Sequence, residues 1–135
     1  MKISKFVVIT LLSVFLFTTG CTKKIDVGDF DSAKWIGDQE GCSNQRAEMI
    51  QDLIKIKPNL LALYHKSIIE VLGKPEAEEL YERSQTYYWY YIDPSPKCNQ
   101  PSENPRKLSI RFTAMGIASH KWIILQLLVK YDFTT

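Results

Sequence analysis

The stretch that most constrains this fold is residues 67–75, SIIEVLGKP, which encode the start, the buried face and the end of one short helix. Ser67 and Glu70 have the spacing of a capping box, in which each side chain accepts a hydrogen bond from the other residue's backbone N–H. The aliphatic residues of the stretch share one helical face. Gly73 permits a left-handed C-cap, and Pro75 prevents continuation. Because so short a helix is unstable alone, it must pack against a later part of the chain.

The second constraint is the run 86–92, TYYWYYI, in which every residue is β-branched or aromatic, as is typical of a strand. Successive side chains point to opposite faces, so one aromatic set points away from the helices: either Tyr87, Trp89 and Tyr91, or Tyr88 and Tyr90. The outward set is either a docking face, for protein or for stacked sugar, or a surface covered by Trp35 and the N-terminal segment. A covered or merely half-exposed arrangement is favoured, because solitary domains rarely leave a large aromatic patch open. The candidate protein-binding residues are Tyr87, Tyr88, Trp89, Tyr90 and Tyr91.

Two more strands are predicted after this run. Residues 93–106 hold four of the six prolines and form a long loop. Leu108, Ile110 and Phe112 then alternate with polar residues, residues 114–116 supply a turn, and residues 117–129 continue as a strand. For residues 76–84 the pattern leaves open a further helical turn or an irregular lead into a strand, and for residues 127–135 it leaves open a continued strand or a helix.

A longer helix is predicted before residue 67. Ser43 is its candidate cap, Pro58 its end, and its buried face is formed by Met49, Ile50, Leu53 and Ile54. Arg46 falls on the opposite, solvated face, either paired with Asp38 or simply hydrated. Phe30 and Trp35, in the polar segment ahead, are expected to close the rim of the core. The element order predicts an α+β fold, with two N-terminal helices packed on one face of a three-stranded antiparallel sheet.

The N-terminus reads as a targeting segment. Lys2 and Lys5 precede an apolar run, residues 6–17, that is far shorter than the roughly 20 residues needed to span a bilayer. Thr18, Thr19 and Gly20 then lead directly into a cysteine, and this run resembles the lipobox of bacterial lipoproteins. The resemblance implies cleavage before Cys21 and lipidation of Cys21; the alternatives are an uncleaved anchor or an ordinary secretory signal.

The predicted organisation is therefore a signal peptide over residues 1–20, a flexible tether over residues 21–30 and a single domain over residues 31–135. Removing the signal takes away two lysines and no acidic residue, so the formal charge of +2 falls to zero. A neutral domain argues against a nucleic-acid partner, because binding to nucleic acid depends on neutralised phosphates.

The cysteine count predicts a disulfide. With Cys21 lipidated, Cys42 and Cys98 remain in an oxidising compartment, where a bridge is the expected state. A metal-binding or redox-active pair is the alternative, but the chain lacks a C-x-x-C spacing, and its two histidines, His65 and His120, have no evident third ligand. No metal or other cofactor is expected.

Taken together, the helix ending in Leu72-Gly73-Lys74-Pro75, the aromatic strand and the strand 108–112 resemble the SmpA/OmlA family of small outer-membrane lipoproteins. That family includes the BamE component of the β-barrel assembly machinery and shares its fold with β-lactamase-inhibitor-protein domains. The resemblance covers about residues 44–125. It implies a lipid anchor at the periplasmic face of the bacterial outer membrane and a role in outer-membrane assembly or maintenance.

Two classes of function compete. One is a non-enzymatic envelope lipoprotein that binds or stabilises another envelope protein. The other is a periplasmic ligand-binding or inhibitor-type module that uses strand 86–92. The sequence carries no G-x-S-x-G, no H-E-x-x-H and no glycine-rich phosphate loop, which favours binding over catalysis.

Overall fold

A computed structural model describes residues 25–125, with side chains through Ser119. Residues 1–24, which include the predicted signal peptide and the lipidation site Cys21, lie outside this description, as do the His120 side chain and residues 126–135. None of the described helices is long and apolar enough to cross a membrane. The helices are α1 (Ser32–Gly37), α2 (Gln45–Glu48), α3 (Ile50–Leu60) and α4 (His65–Leu72), and the strands are β1 (Ala77–Tyr81), β2 (Gln85–Tyr91), β3 (Lys107–Phe112) and β4 (Ala118–Leu125).

The strands form one antiparallel sheet with the order β1-β2-β3-β4. The α+β class is therefore confirmed, but the described sheet has four strands and the described helices number four, where three and two were predicted. The extra strand, β1, lies in the segment that the sequence pattern left undecided. Its glutamates hide the strand signal, because Glu has low β-propensity.

The core lies between the helices and one face of the sheet. Residues at alternate positions of β2 and β3 point into it and meet the apolar faces of α3 and α4. The fully buried strand residues are Tyr90, Leu108, Ile110 and Phe112, joined by Ile92 directly after β2. Trp35, predicted at the rim, is completely buried and packs 5.9 Å from the ring of Phe30. Neither aromatic side chain covers the other face of the sheet.

The chain packs against this core from Ile25, before the predicted domain start at residue 31. Ile25 and Val27 are partly buried against it, Phe30 is buried, and the Asn59 side chain donates a hydrogen bond to the backbone carbonyl of Asp26. These contacts fix the chain direction leading into α1.

The capping box at Ser67 does not form. Helix α4 begins earlier, at His65, and Ser67 lies within its first turn. The preceding residue, Tyr64, bridges Ile117, and His65 N–H donates to Gly116 O, so pairing with the β3–β4 turn sets where the helix starts. The predicted end is correct: Gly73 follows the helix with φ +76°, a conformation that other residues rarely adopt.

Pro58 does not end α3, as was predicted; it lies inside the last turn, and the helix ends at Leu60. The missing proline N–H would have bonded the carbonyl of Ile54, a residue that is 46% exposed, so water can hydrate that carbonyl. The predicted burial of Ile54 is wrong, because the residue lies on the exposed side of α3. The buried residues Ile56 and Leu60 hold the last turn against the core.

Cys42 and Cys98 form a disulfide between residues 56 apart in sequence, as predicted. The bridge joins the turn before α2 to the loop between β2 and β3. Gly41, next to the bridge, has φ +71°, and a Cβ there would lie 2.7 Å from the carbonyl oxygen of Asp93. Only glycine allows this close approach of the two backbones.

Candidate functional site

Strand β2 divides its aromatic residues between the two faces of the sheet. Tyr88 and Tyr90 point into the core and are buried, and the Tyr90 hydroxyl donates a hydrogen bond to Gly73 O at 2.9 Å. The half-buried outward set is Tyr87, Trp89 and Tyr91. Of the five candidate binding residues, the outward three therefore lie on one surface, and the other two belong to the core.

Small neighbours make room for the Trp89 indole. In the register of the sheet, Trp89 stands between Ala77 of β1 and Ser109 of β3. Neither side chain is large enough to fill the surface beside the ring. Ser109 is itself buried although it lies on the outward face.

The outward aromatic rings form a row along the strand direction. Tyr87 and Trp89 are stacked, with ring centroids 6.3 Å apart and planes inclined by 20°. Tyr81, at the end of β1, meets Tyr87 edge-on at 5.8 Å. The ammonium of Lys107 lies 4.7 Å from the centre of the Tyr91 ring, within cation–π distance.

Two residues of this row, Trp89 and Tyr91, line a cleft of about 540 Å³, which we call the outer cleft. Trp89 and Tyr91 form its floor, β1 one side, and the loop between β2 and β3 the other. One acidic and one basic side chain, Glu79 and Lys107, contribute charge. The complete lining is Ala77, Glu79, Trp89, Tyr91, Pro96, Asn104, Pro105 and Lys107.

The loop that forms one wall, residues 93–106, is fixed at three points. Where the two ends of the loop meet, the Arg106 guanidinium donates two hydrogen bonds, of 2.7 and 2.6 Å, to the Asp93 carboxylate. Farther along, Lys97 donates to Glu40 Oε1 at 2.7 Å, and Cys98 is bonded to Cys42. The wall is therefore held in place before any ligand arrives, which lowers the entropic cost of binding.

The ion pair between Asp93 and Arg106 should make the stability of the fold depend on pH. Hydrogen bonds from the Arg106 side chain lower the pKa of Asp93, against the opposing effect of burial. Because the folded pKa lies below the unfolded value of about 3.9, the pair stabilises the fold above about pH 4 and is lost as the pH falls through the folded pKa. Urea unfolding from pH 7 to pH 2.5 should show a smaller acid-dependent loss of stability in Asp93→Asn than in wild type.

Asp52→Asn is the matched control for that measurement, because Asp52 pairs with Lys55 on the exposed surface of α3. It should leave the acid-dependent loss almost unchanged. Parallel pH profiles of wild type and Asp93→Asn would contradict the assignment.

Below the cleft, a buried ion pair ties the helical segment to the sheet. Arg46 and Glu76 side chains are each 1% exposed, and Arg46 Nη1 lies 2.9 Å from Glu76 Oε1. Arg46 also donates to the backbone carbonyls of Trp35 and Tyr91. Glu76 accepts backbone N–H groups from Glu40 and Tyr91. The partners of the pair thus come from three segments: Trp35 lies in α1, Glu40 lies before α2, and Tyr91 ends β2 and contacts both members of the pair.

The predicted solvated position of Arg46 is therefore wrong. Asp38 does contact this residue, but through the backbone: its carboxylate accepts from Arg46 N–H and Ser43 N–H. Asp38, rather than Ser43, thus satisfies the free N–H groups before and within α2. The guanidinium instead lies 5.0 Å from the centre of the Trp35 ring.

A second cavity, of about 330 Å³, opens near the other end of β2 on the core side of the sheet. Its polar lining includes His65, Glu78 and Thr86, together with Tyr88. Burial, and secondarily the Glu78 carboxylate, raise the pKa of Tyr88, so its hydroxyl stays protonated at neutral pH. Within the described residues, no group of three or more His, Cys, Asp or Glu side chains is placed to hold a metal ion.

Sequence reasoning missed Glu79, Lys107 and the loop prolines as cleft residues. The alternation along β3 could have placed Lys107 on the outward face, because it precedes the inward-facing Leu108, but nothing local indicated that β1 exists. Comparison with protein-family models, curated proteins and solved structures finds no match.

Proposed function

We propose that this protein is a lipid-anchored protein of the bacterial envelope, held at the periplasmic face of the outer membrane, that binds another envelope protein through the outer cleft. The observation that carries the proposal is the outer cleft itself, an aromatic floor beside a wall fixed by a disulfide and two ion pairs. Aromatic residues on rigid elements are the typical anchors of protein interfaces.

The chemistry of the cleft favours binding over catalysis. Its lining offers one carboxylate, one ammonium and one amide, but no histidine, cysteine or serine that would form a nucleophile and base. Aromatic and proline side chains supply most of the remaining surface. Such a surface recognises shape and apolar area, so we infer a non-enzymatic role without a cofactor.

The location rests on the N-terminal sequence and on the disulfide. Disulfides persist in oxidising compartments such as the periplasm, and Cys42–Cys98 fits that environment. In this proposal, the lipobox-like run before Cys21 is the basis for the lipid anchor. The outer-membrane location is inferred from the resemblance to SmpA/OmlA lipoproteins. A role in outer-membrane assembly or maintenance follows from the same resemblance.

The anchor is tested by Cys21→Ala. Several acyl chains, at about 0.8 kcal/mol per buried CH₂, make release from the membrane negligible, so wild type should sediment with membranes and resist extraction by high salt. The variant should lose lipid labelling and appear in the soluble envelope fraction if its signal is still cleaved, or keep its signal if it is not. Unchanged lipid labelling in Cys21→Ala would contradict the proposal.

The docking face is tested by Trp89→Ala. Loss of a central aromatic anchor should weaken binding to the partner by about 2 kcal/mol, while removing little of the core. A photo-crosslinking amino acid at Tyr87, which stacks on Trp89, identifies the captured envelope protein, and titration of that purified protein gives the affinity. Thermal unfolding, measured in parallel, reports stability.

Ile54→Ala is the control, because Ile54 is an exposed apolar residue on α3, away from the outer cleft. It should leave both crosslinking and affinity unchanged. If Trp89→Ala lowers the melting temperature strongly and leaves the captured protein and its affinity unchanged, the outer cleft is not the docking face.

The size of the outer cleft favours one alternative, a periplasmic ligand-binding or inhibitor-type module. A volume of about 540 Å³ lies within the range of small-molecule pockets, roughly 300–1,000 Å³. Native mass spectrometry of protein purified from the envelope distinguishes the two, since a tightly held small molecule would appear as a defined mass increment that Trp89→Ala abolishes.

A further inference from the structure

Strand β1 is the edge strand of the sheet, and its exposure is unusual. Among the described residues it pairs with β2 alone, so one row of backbone N–H and C=O groups has no strand beside it. All five residues from Ala77 to Tyr81 are exposed. An uncovered edge of this kind is a template for pairing with another extended chain.

The side chains of β1 follow a simple order. Glu78 and Glu79 are acidic neighbours, and neither forms an ion pair with another described residue. Leu80 and Tyr81 follow and are 78% and 62% exposed, although both are large and apolar. The edge therefore presents a pair of negative charges next to a pair of uncovered apolar side chains.

A second copy of this chain fits the edge poorly where the glutamates of two β1 strands would meet. Antiparallel pairing of two β1 strands centred on Glu79 would place the two Glu79 side chains opposite each other. Shifting the centre to lie between Glu78 and Glu79 would place each of these residues opposite the other. Directly opposed like charges destabilise a strand pair, so the two glutamates disfavour self-association in both of these registers.

We infer that the edge of β1 binds an extended segment of another protein as an additional antiparallel strand, in which two apolar residues are followed by two basic ones. The order follows from the register. Read from its N-terminus, an antiparallel partner passes Tyr81, then Leu80, then the two glutamates. Backbone hydrogen bonds would supply affinity, and the alternating side chains would supply specificity.

This site is separate from the docking role of the outer cleft. Ala77 and Glu79 belong to both surfaces, whereas Glu78 and Leu80 point to the opposite face of the sheet from Trp89. Variants at Glu78 therefore report on the edge, and variants at Trp89 report on the cleft. Either surface can fail without the other.

The test uses the full chain in non-ionic detergent and three fluorescent 12-residue peptides, measured by anisotropy. The first carries the core Val-Ile-Lys-Lys in a threonine-rich background. The second carries Val-Ile-Glu-Glu, and the third is the first peptide with alternate backbone amides N-methylated so that they cannot donate hydrogen bonds. Hydrogen exchange of the residue 77–81 amides is followed with and without the first peptide.

We expect the lysine peptide to bind at least roughly tenfold more tightly than the glutamate peptide, because two cross-strand pairs change from opposite to like charge. Methylation should abolish binding, and exchange at residues 77–81 should slow. Glu78→Lys should weaken the lysine peptide, whereas Trp89→Ala should not. Glu103→Lys, a charge reversal at an exposed loop position, is the control and should have little effect.

Four outcomes would overturn the inference: no binding of the lysine peptide, equal binding of its methylated form, insensitivity to Glu78→Lys, or exchange at residues 77–81 that does not slow. Equal binding of the methylated peptide would mean that charge alone attracts it. Concentration-dependent dimerisation protecting the same amides would show instead that a second copy occupies the edge.

Discussion

Replacing Arg46 by methionine is expected to lower the free energy of unfolding by about 3–5 kcal/mol, because it leaves the Glu76 carboxylate buried without its counter-ion. The change also removes the donors to the carbonyls of Trp35 and Tyr91. Since a domain of this size has only about 5–15 kcal/mol of stability, the loss is large. Urea unfolding, followed by circular dichroism, measures it.

Two further variants make that measurement specific. Glu76→Gln keeps the shape of the side chain but loses its charge and one acceptor, so it should also destabilise, by a smaller amount. Lys55→Met removes one partner of an exposed ion pair on α3 and should leave the free energy of unfolding almost unchanged. If Arg46→Met proved as mild as Lys55→Met, the buried pair would not hold the helical segment to the sheet.

The second large effect is expected from the double variant Cys42→Ser/Cys98→Ser. Removing a bridge between residues 56 apart should cost about 4 kcal/mol in the chain-entropy model. It should also loosen the loop wall that carries Pro96 and Pro105. Partner affinity at the outer cleft should therefore fall even under conditions in which the variant stays folded.

Reduction of the wild-type protein supplies the matched comparison. Dithiothreitol should lower the melting temperature of wild type towards that of the double variant and leave the variant itself unchanged. Non-reduced peptide mapping of protein from the envelope should recover Cys42 and Cys98 in one cross-linked peptide. Finding both thiols free would reopen the metal-binding or redox interpretation.

The features that were predicted well from sequence depend mainly on the residues of the element itself. A run in which every residue is aromatic or β-branched has few alternatives to a strand, so β2 was predicted within one residue of its bounds. Gly73 ended its helix for a steric reason that does not depend on context. The disulfide followed from parity and compartment, and the core-facing alternation of β3 followed from its period of two.

The features that sequence missed depend on distant partners. Arg46 looked solvated because its counter-ion, Glu76, lies thirty positions further along the chain. The capping box at Ser67 was overridden by pairing between Tyr64 and the β3–β4 turn. Of the candidate site, the aromatic floor could be predicted, but its walls could not. One wall comes from β1, whose glutamates lower the β-propensity of the segment. The other comes from a proline-rich loop whose position is fixed by long-range ionic and covalent contacts.

The bridge from Cys42 to Cys98 also determines how the molecule would transmit mechanical force. A pull applied at the N-terminal end reaches Cys42 and can cross through the sulfur atoms to the loop immediately before β3, so residues 43–97 lie outside the shortest covalent load path. Tension would then not act directly on the backbone of helices α2 to α4 or of strands β1 and β2. Under the proposed N-terminal anchor, both the outer cleft floor and the β1 edge lie within this shielded part.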